Sequence, residues 1–413
     1  MPQSLVIVGA GFAGVWSALA AKHLANTSDK TDALVITVIA PEPVLVMRPR
    51  LYEAEPSTLV HPLGALFKDA GIKFIPGIVK TIDTENRMIE IQSASATDSS
   101  VRYDRLILAA GSSVVRPKSV DGLQEHAFDI DSLEGAVKLD THLQSLQSAP
   151  ASPGSHTVVV CGAGFTGIEI ASELPTRLSH VTGARIILVS NTSHIAPDFG
   201  AGPRSIIEQQ LRDLGVEFKL GHRITSVDAD SVTLDSGERI ESKTAIWTAG
   251  VSASSLTHQI PAPRDRLGRL CVDENLRVPS VDGVYATGDT ASAIADGKTQ
   301  YALMSCQHAN QLGRVSGYNA AADLLGEPLV AYSQPEYNCC LDLGSDGALV
   351  ARGWQRDSVI VSGTPAKKVK SYINHKLIYP AENAMDALIA AHPGKADFNN
   401  LDEAFDQMIQ IAS

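Results

Sequence analysis

Residues 5–20 read LVIVGAGFAGVWSALA, and residues 158–173 read VVVCGAGFTGIEIASE. The two stretches lie 153 residues apart and share one grammar: an apolar run of strand length, then G-A-G-F-x-G, then a helical pattern. Gly9, Gly11 and Gly14 match Gly162, Gly164 and Gly167. The first glycine of each set makes the tight strand-to-helix turn, the second lets the backbone approach a pyrophosphate, and the third lets helix and strand pack closely. The helix N-terminus then offers N–H donors and a positive dipole end to phosphates. One such turn is weak evidence. Two, each after a strand and each opening a helix, predict two dinucleotide-binding units, with Phe12, Ala13, Phe165 and Thr166 lying along the bound dinucleotides.

Outward from these units, strands alternate with helices. ALVITVIA (33–40) and ARIILVS (184–190) read as the second strands of the two units, and DRLILAAGS (104–112), TAIWTAGV (244–251) and GVYATGD (283–289) as further strands ending in small residues. RMIEIQ (87–92) and SVTLDSGERIES (231–242) read as small antiparallel additions. QSAPASPGSHT (147–157) is the clearest linker. From about residue 331 the pattern turns to alternating strands (NCCLDLGSDGALVARGW), a basic piece (AKKVK) and helices, which suggests a third, smaller region. The expected class is α/β: two Rossmann-like three-layer domains plus a small α+β C-terminal region.

The chain has 413 residues, 44% hydrophobic and 19% charged, which is a globular composition with room for two or three domains. Lys and Arg number 34 against 46 Asp and Glu, a net charge of −12 that argues against nucleic acid as a partner. No apolar run reaches about 18 residues, so no transmembrane helix is expected. The N-terminus lacks the basic start of a secretory signal and reads as mature structure. Five cysteines without framework spacing point to a reducing, cytoplasmic setting.

These motifs resemble the pyridine-nucleotide-disulfide-oxidoreductase superfamily of flavoproteins, and within it the type II NADH dehydrogenases and apoptosis-inducing-factor-like oxidoreductases, over about residues 4–330. The resemblance implies FAD on the first glycine turn and NAD(P)H on the second. It implies an FAD domain of residues 1–115 and 251–330, an inserted NAD(P)H domain of 116–250, and a C-terminal region of 331–413. The family's T-G-D motif stands at Thr287, Gly288 and Asp289, which gives Asp289 the ribityl chain of FAD. LAAGS, with Ala110 and Gly111, and WTAGV, with Gly250, resemble the family's two crossings between domains. Glu169 matches the glutamate placed near the nicotinamide; read alone, it is equally a helix-surface carboxylate.

CQHANQLG (306–313) resembles the quinone-side motif A-Q-x-A-x-Q-Q, with Gln307, Ala309 and Gln311 matching and Cys306 and Leu312 departing. It implies a helix start aimed at the flavin, with Gln307 orienting an acceptor; read alone, Gln307 and His308 are equally capping and surface residues. RPRLYE (48–53) resembles the P-L-L-Y segment beside the flavin, so Arg48 and Arg50 become candidates for FAD phosphate or the ring edge, or else form a solvated turn. The carboxylate that normally bonds a coenzyme ribose is Ala40 in the first unit, with Glu42 as stand-in, and Ser190 in the second, followed by Asn191 and Thr192. Loss of that acid makes NADPH acceptable beside NADH, with Arg204 or Arg223 as candidate phosphate partners.

The helix after the first turn carries no C-x4-C, so a dithiol relay of the disulfide-reductase type is excluded. Cys339 and Cys340 sit in a predicted strand, point to opposite faces and read as buried structural thiols, or else as a redox or metal-sensing pair. No C-x2-C or HExxH occurs, and no metal site is predicted. The tail SGTPAKKVKSYINHKLIYP (362–380) resembles that of the apoptosis-inducing-factor-like branch. The last segment bears an apolar stripe of Leu401, Phe405, Met408 and Ile409 beside acidic residues, expected to pack on the body or on a second copy of the chain rather than on a membrane.

The expected function is passage of hydride from NAD(P)H to flavin, then of electrons to a small-molecule acceptor, a quinone by resemblance. The alternatives are a soluble reductase of a specialised small molecule, and a slow-turnover FAD/NAD(P)H-binding signalling flavoprotein. Contact with a membrane is at most peripheral.

Overall fold

A computed structural model describes residues 2–395 apart from 94–97, 149, 151 and 153. The apolar stripe at 401–409 lies outside the described residues, as does part of the linker.

The chain enters through β1 (Gln3–Val8), turns into helix α1 (Phe12–Thr27) and returns as β2 (Leu34–Ala40). Strands β3 (Lys73–Pro76) and β4 (Arg105–Leu108) follow. The β1 run is buried on both faces, as a central parallel strand requires. The chain then crosses into a second sheet. That sheet holds β5 (Ala127–Phe128), β6 (Thr157–Cys161), helix α2 (Phe165–Arg177), β7 (Arg185–Ser190), β8 (Glu217–Leu220) and β9 (Thr244–Trp247). It returns as β10 (Val284–Ala286), which completes the first sheet and leads to the long helix α3 (Cys306–Leu325).

Both sheets are parallel and have the same layout. The first runs β10-β4-β1-β2-β3 and the second β5-β9-β6-β7-β8. In each, the glycine turn follows the middle strand, where the strand order reverses and a crevice opens. The two crossings pair with each other, Ser112–Val114 antiparallel to Val251–Ala253. The two short segments predicted as antiparallel additions are there, the first pairing with strands at 78–83 and 98–102 and the second in a meander of 224–241.

Helix α1 is buried along nearly its whole length because α3 covers the side that the sheet does not. The approach is backbone to backbone: a Cβ on Gly313 would overlap the Ala13 carbonyl, and one on Gly317 the Ser17 carbonyl. Ser17 Oγ donates to the Ala13 carbonyl at 2.7 Å and meets Ser316 Oγ at 3.1 Å.

The C-terminal region is an antiparallel sheet of β11 (Asn338–Asp342), β12 (Ala348–Arg352) and β13 (Ser358–Ser362), covered by helix α4 (Thr364–Tyr372). The basic piece AKKVK, read as separate from the helices, lies inside α4. Ala366, Val369 and Lys370 share its buried face at helical spacing.

Candidate active site

The glycine turns have the shape that their spacing demands. Gly9 has φ +112° and Gly162 φ +124°, and a Cβ on Gly9 would overlap the Ala109 carbonyl. Gly14 and Gly167 press on the carbonyls of Gly9 and Gly162, which locks each helix to its strand. Gly11 faces open space, with nothing within 4 Å of its would-be Cβ. Gly11 and Gly164 are the N-caps of α1 and α2, and neither helix start carries a side-chain cap or an acidic residue in its first turn. Two sets of free N–H donors and two positive dipole ends are left for anionic ligands.

Both units open on one cleft of about 780 Å³. Gly11, Phe12 and Ala13 line it from the first turn, and Phe165, Thr166 and Glu169 from α2. The crossings contribute Gly111 and Gly250, the T-G-D segment Gly288 and Asp289, and α3 contributes Gln307. Ala110 packs instead against the core beneath the first sheet.

Asp289 accepts from Ser112 Oγ at 2.6 Å, and Arg48 Nη1 reaches Ser112 Oγ at 3.0 Å and Asp289 at 3.4 Å. Arg48 Nη2 pairs with Asp131, whose other oxygen accepts from the Val114 N–H at 2.8 Å. Arg48 thus joins carboxylates from both glycine units at the cleft wall. Nearby, Thr287 Oγ1 and Asn310 Oδ1 are buried without a hydrogen-bond partner among the described residues, and both residues line the cleft. Orphaned polar atoms beside Asp289 fit a ligand rich in hydroxyls and ring amides.

Helix α3 begins at the cleft. Ser305 caps it, accepting from the His308 N–H at 3.3 Å, and Gln307 is half-buried on the wall. His308 is neither cap nor surface: it is fully buried, with ring centroids 5.4 Å from Tyr337 and 5.6 Å from Trp354. Burial, helped by the charges of Arg269 and Arg356, pushes it down to about 3. Gln311 turns away, donating to the Pro393 carbonyl at 3.0 Å, and Leu312 is a core residue.

Glu169 is no surface carboxylate. It is buried, and its Oε1 accepts from Lys370 Nζ at 2.8 Å and from the Asp342 N–H at 3.1 Å. Burial pushes its carboxyl up to about 7 against the pull of Lys370. Burial alone would lower Lys370, but the charge and hydrogen bond of Glu169, with Cys340 and Asp342 nearby, together outweigh it and hold the ammonium above the ordinary lysine range. Burial thus raises the proton affinity of Glu169, while its carboxylate favours the charged form of Lys370. Tyr52, of the RPRLYE segment, donates to Asp342 at 2.8 Å and lines the same cleft.

The remaining candidates are divided between the cleft and the rest of the molecule. Arg50 is held by Glu53, Tyr379 and His375, not by the Arg48 network. Ser190 ends β7, and its hydroxyl is engaged with Thr192 at 2.8 Å in the following turn. Glu42 is exposed at the cleft. Arg204 donates to the Phe199 carbonyl at 2.7 Å, and Arg223 is exposed. Cys339 and Cys340 are not merely core thiols, since both line the cleft with Cys306, and burial raises all three. Residues missed by the sequence reading are Lys370, Asp131, Asn310 and Arg356, while Thr287 was read as part of the T-G-D motif without a role of its own. Only Lys370 left a signal, as a lysine on an apolar helix face. Among the described residues, no group of three or more His, Cys, Asp or Glu could hold a metal ion, and no helix is long and apolar enough to cross a membrane.

Known proteins agree with this geometry. The pattern of the pyridine nucleotide-disulphide oxidoreductase family matches residues 3–313. An NADH dehydrogenase-like protein of Mycobacterium tuberculosis is 43% identical over 399 residues, covering 94% of this chain and 98% of that protein. A type II NADH:quinone oxidoreductase of Staphylococcus haemolyticus is 25% identical, covering 91% and 95%. Among solved structures, NDH2 of Plasmodium falciparum in complex with NADH superposes with a TM-score of 0.76 at 13% identity, covering 94% of this chain and 97% of that one. The two uncapped helix starts and the orphaned atoms around Asp289 fit FAD and NAD(P)H, the cofactors of that family. By its glycine turns, its paired parallel sheets and these relatives, the chain belongs to the pyridine nucleotide-disulphide oxidoreductase family, in its NDH2-like branch.

Proposed function

We propose that this protein is an FAD-dependent NAD(P)H oxidoreductase that passes electrons to a quinone-like acceptor. The observation that carries the reading is the single cleft onto which both glycine turns, Asp289, the start of α3 and Gln307 all open. Bound FAD supplies the electron relay between NAD(P)H and the acceptor. The chain itself holds and orients the three partners.

The first turn takes the FAD pyrophosphate, and Asp289 with Ser112 takes its ribityl hydroxyls. The second turn takes NAD(P)H. The positive end of α3 opens on the cleft and would favour negative charge on a bound flavin. Gln307 offers an amide to an acceptor carbonyl. Glu169, held near neutrality by burial and fixed by Lys370, holds a proton at the cleft wall. The division into residues 1–115 with 251–330, 116–250 and 331–413 belongs to this reading, as does a reducing cytoplasmic setting for five free thiols.

A second reading, a reductase of a specialised small molecule, is favoured by one observation. The family's paired glutamines are here Gln311, tied to the Pro393 carbonyl, and Leu312, buried in the core. Anaerobic stopped-flow mixing separates the readings. Flavin bleached by NADH or NADPH and then rapidly re-oxidised by a short-chain quinone supports the first. Bleaching without quinone re-oxidation supports the second. Protein that cannot be loaded with FAD refutes both.

A further inference from the structure

Arg356 sits in the turn between β12 and β13, far in sequence from either glycine turn, yet it lines the cleft. Its Nε and Nη1 are buried, and among the described residues neither has a hydrogen-bond partner. It pairs at long range with Asp198, whose Oδ2 is 3.8 Å from Nη1 and which is itself exposed. The guanidinium lies between two rings, 5.3 Å from the Phe199 centroid and 5.4 Å from that of Tyr337. The side chain is mostly covered and hydrogen-bonds Tyr337, so the cation is partly met, but its two unmet donors are costly unless an anion completes them. The backbone is also held against preference: Arg356 has φ +47°, the left-handed region that non-glycine residues avoid.

The neighbours of Arg356 say which anion. Its own carbonyl accepts from the Gly200 N–H at 3.2 Å, and Asp357 packs so closely on Gly200 that a Cβ there would meet it at 2.6 Å. The 196–200 loop is in turn fixed to the second glycine turn. The Ala196 N–H donates to the Ala163 carbonyl at 3.1 Å, and Asp198 Oδ2 lies 4.0 Å from the would-be Cβ of Gly164. Phe165 stacks on Phe199 with centroids 6.2 Å apart. The turn that carries Arg356 is thereby tied, through the 196–200 loop, to the uncapped start of α2.

We propose that Arg356 is a phosphate-binding residue for the nicotinamide coenzyme, closing from the C-terminal region over the pyrophosphate that the second glycine turn receives from the other side. It rests on the reading that NAD(P)H occupies that turn. The planar fork of arginine suits two phosphate oxygens at once. Asp198 is the exposed counter-charge that the pyrophosphate replaces. The C-terminal region thus completes the coenzyme site rather than merely covering it.

The test is anaerobic reduction of the FAD-loaded protein by two donors, NADH and reduced nicotinamide riboside, which has the same ring and no phosphate. In Arg356→Met, the apparent Kd for NADH rises roughly ten- to a hundred-fold, the size of a lost charge-assisted hydrogen bond. The limiting rate of reduction and the whole response to the riboside stay unchanged. Arg356→Lys keeps the charge without the fork and falls between, so the proposal stays testable if the Met variant fails to fold. Equal weakening toward both donors, no change toward NADH, or a change confined to the acceptor's KM would overturn it. Wild-type protein that neither NADH nor NADPH reduces at all would instead overturn the oxidoreductase reading beneath it.

Discussion

Lys370 Nζ stands 2.8 Å from Glu169 Oε1, and the two residues come from α4 and α2, helices of different parts of the molecule. The pair is buried at the cleft wall, so it both clamps the C-terminal region onto the second glycine unit and sets the proton affinity of the site.

Breaking that pair from one side leaves a buried, unmatched group. Lys370→Met destabilises the protein by about 3 kcal/mol at pH 8, where Glu169 is ionised. The double variant Lys370→Met/Glu169→Gln recovers much of the loss. Thermal melts of the two variants side by side check this; a double variant less stable than the single one would contradict it.

Glu169 also predicts a pH profile. Its carboxyl is held at about 7, above the ordinary 4.5, so the native state keeps a proton that the unfolded chain gives up. Its contribution to stability is full below pH 4.5 and is lost as pH rises to about 7. Re-oxidation of the reduced protein by acceptor slows as pH passes 7. Glu169→Gln removes that inflection and lowers the rate about 100-fold, in the range of a lost acid–base group. An unchanged inflection in the variant would assign the proton to another group.

His308 acts in the opposite sense. Burial holds it at about 3, below its ordinary 6.5, so it must stay neutral in the folded protein. The stability that this brings is present above pH 6.5 and is lost as the pH falls toward 3. Melting temperatures from pH 7 to pH 4 should fall more steeply for wild type than for His308→Gln.

Two glycines of one turn respond differently. Gly9→Ala strains a left-handed backbone and drives a Cβ into the Ala109 carbonyl, so little folded protein is recovered. Gly11→Ala meets no protein atom, so the chain folds, but the methyl fills the space where a pyrophosphate approaches and flavin content drops. Circular dichroism and visible absorbance on the two variants tell these outcomes apart.

Gln307 tests the acceptor assignment. Gln307→Leu raises the KM for a short-chain quinone about tenfold, the size of one lost hydrogen bond to a carbonyl. The rate of flavin reduction by NADH is unaffected. Steady-state and single-turnover kinetics separate the two effects.

The fold was legible because its signals are local. Each glycine turn, its strand and its helix occupy fewer than twenty consecutive residues, and their recurrence at 158–173 announced the second sheet. The positions of Asp289 and Gln307 on the cleft were legible through motifs of the same kind. Lys370, Asp131 and Arg356 were not, because topology alone brings them to the wall. Nothing near Arg356 in sequence hints at Gly164, since the two meet only through the 196–200 loop. Ser190 shows the converse: its place at the end of β7 was correctly read, but its hydroxyl is engaged by the turn that follows.

The contact between α1 and α3 has a consequence for biosynthesis. Ser17 and Ser316 touch, yet 299 residues separate them. During translation α1 emerges early with its glycine-fitted side uncovered, while the whole second sheet is made and can close on itself. The enclosing domain, which begins first, must therefore finish last, and the loop it closes makes that step slow. A ribosome that stops before Cys306 would release a chain whose insert is folded and whose first glycine turn has no opposite wall.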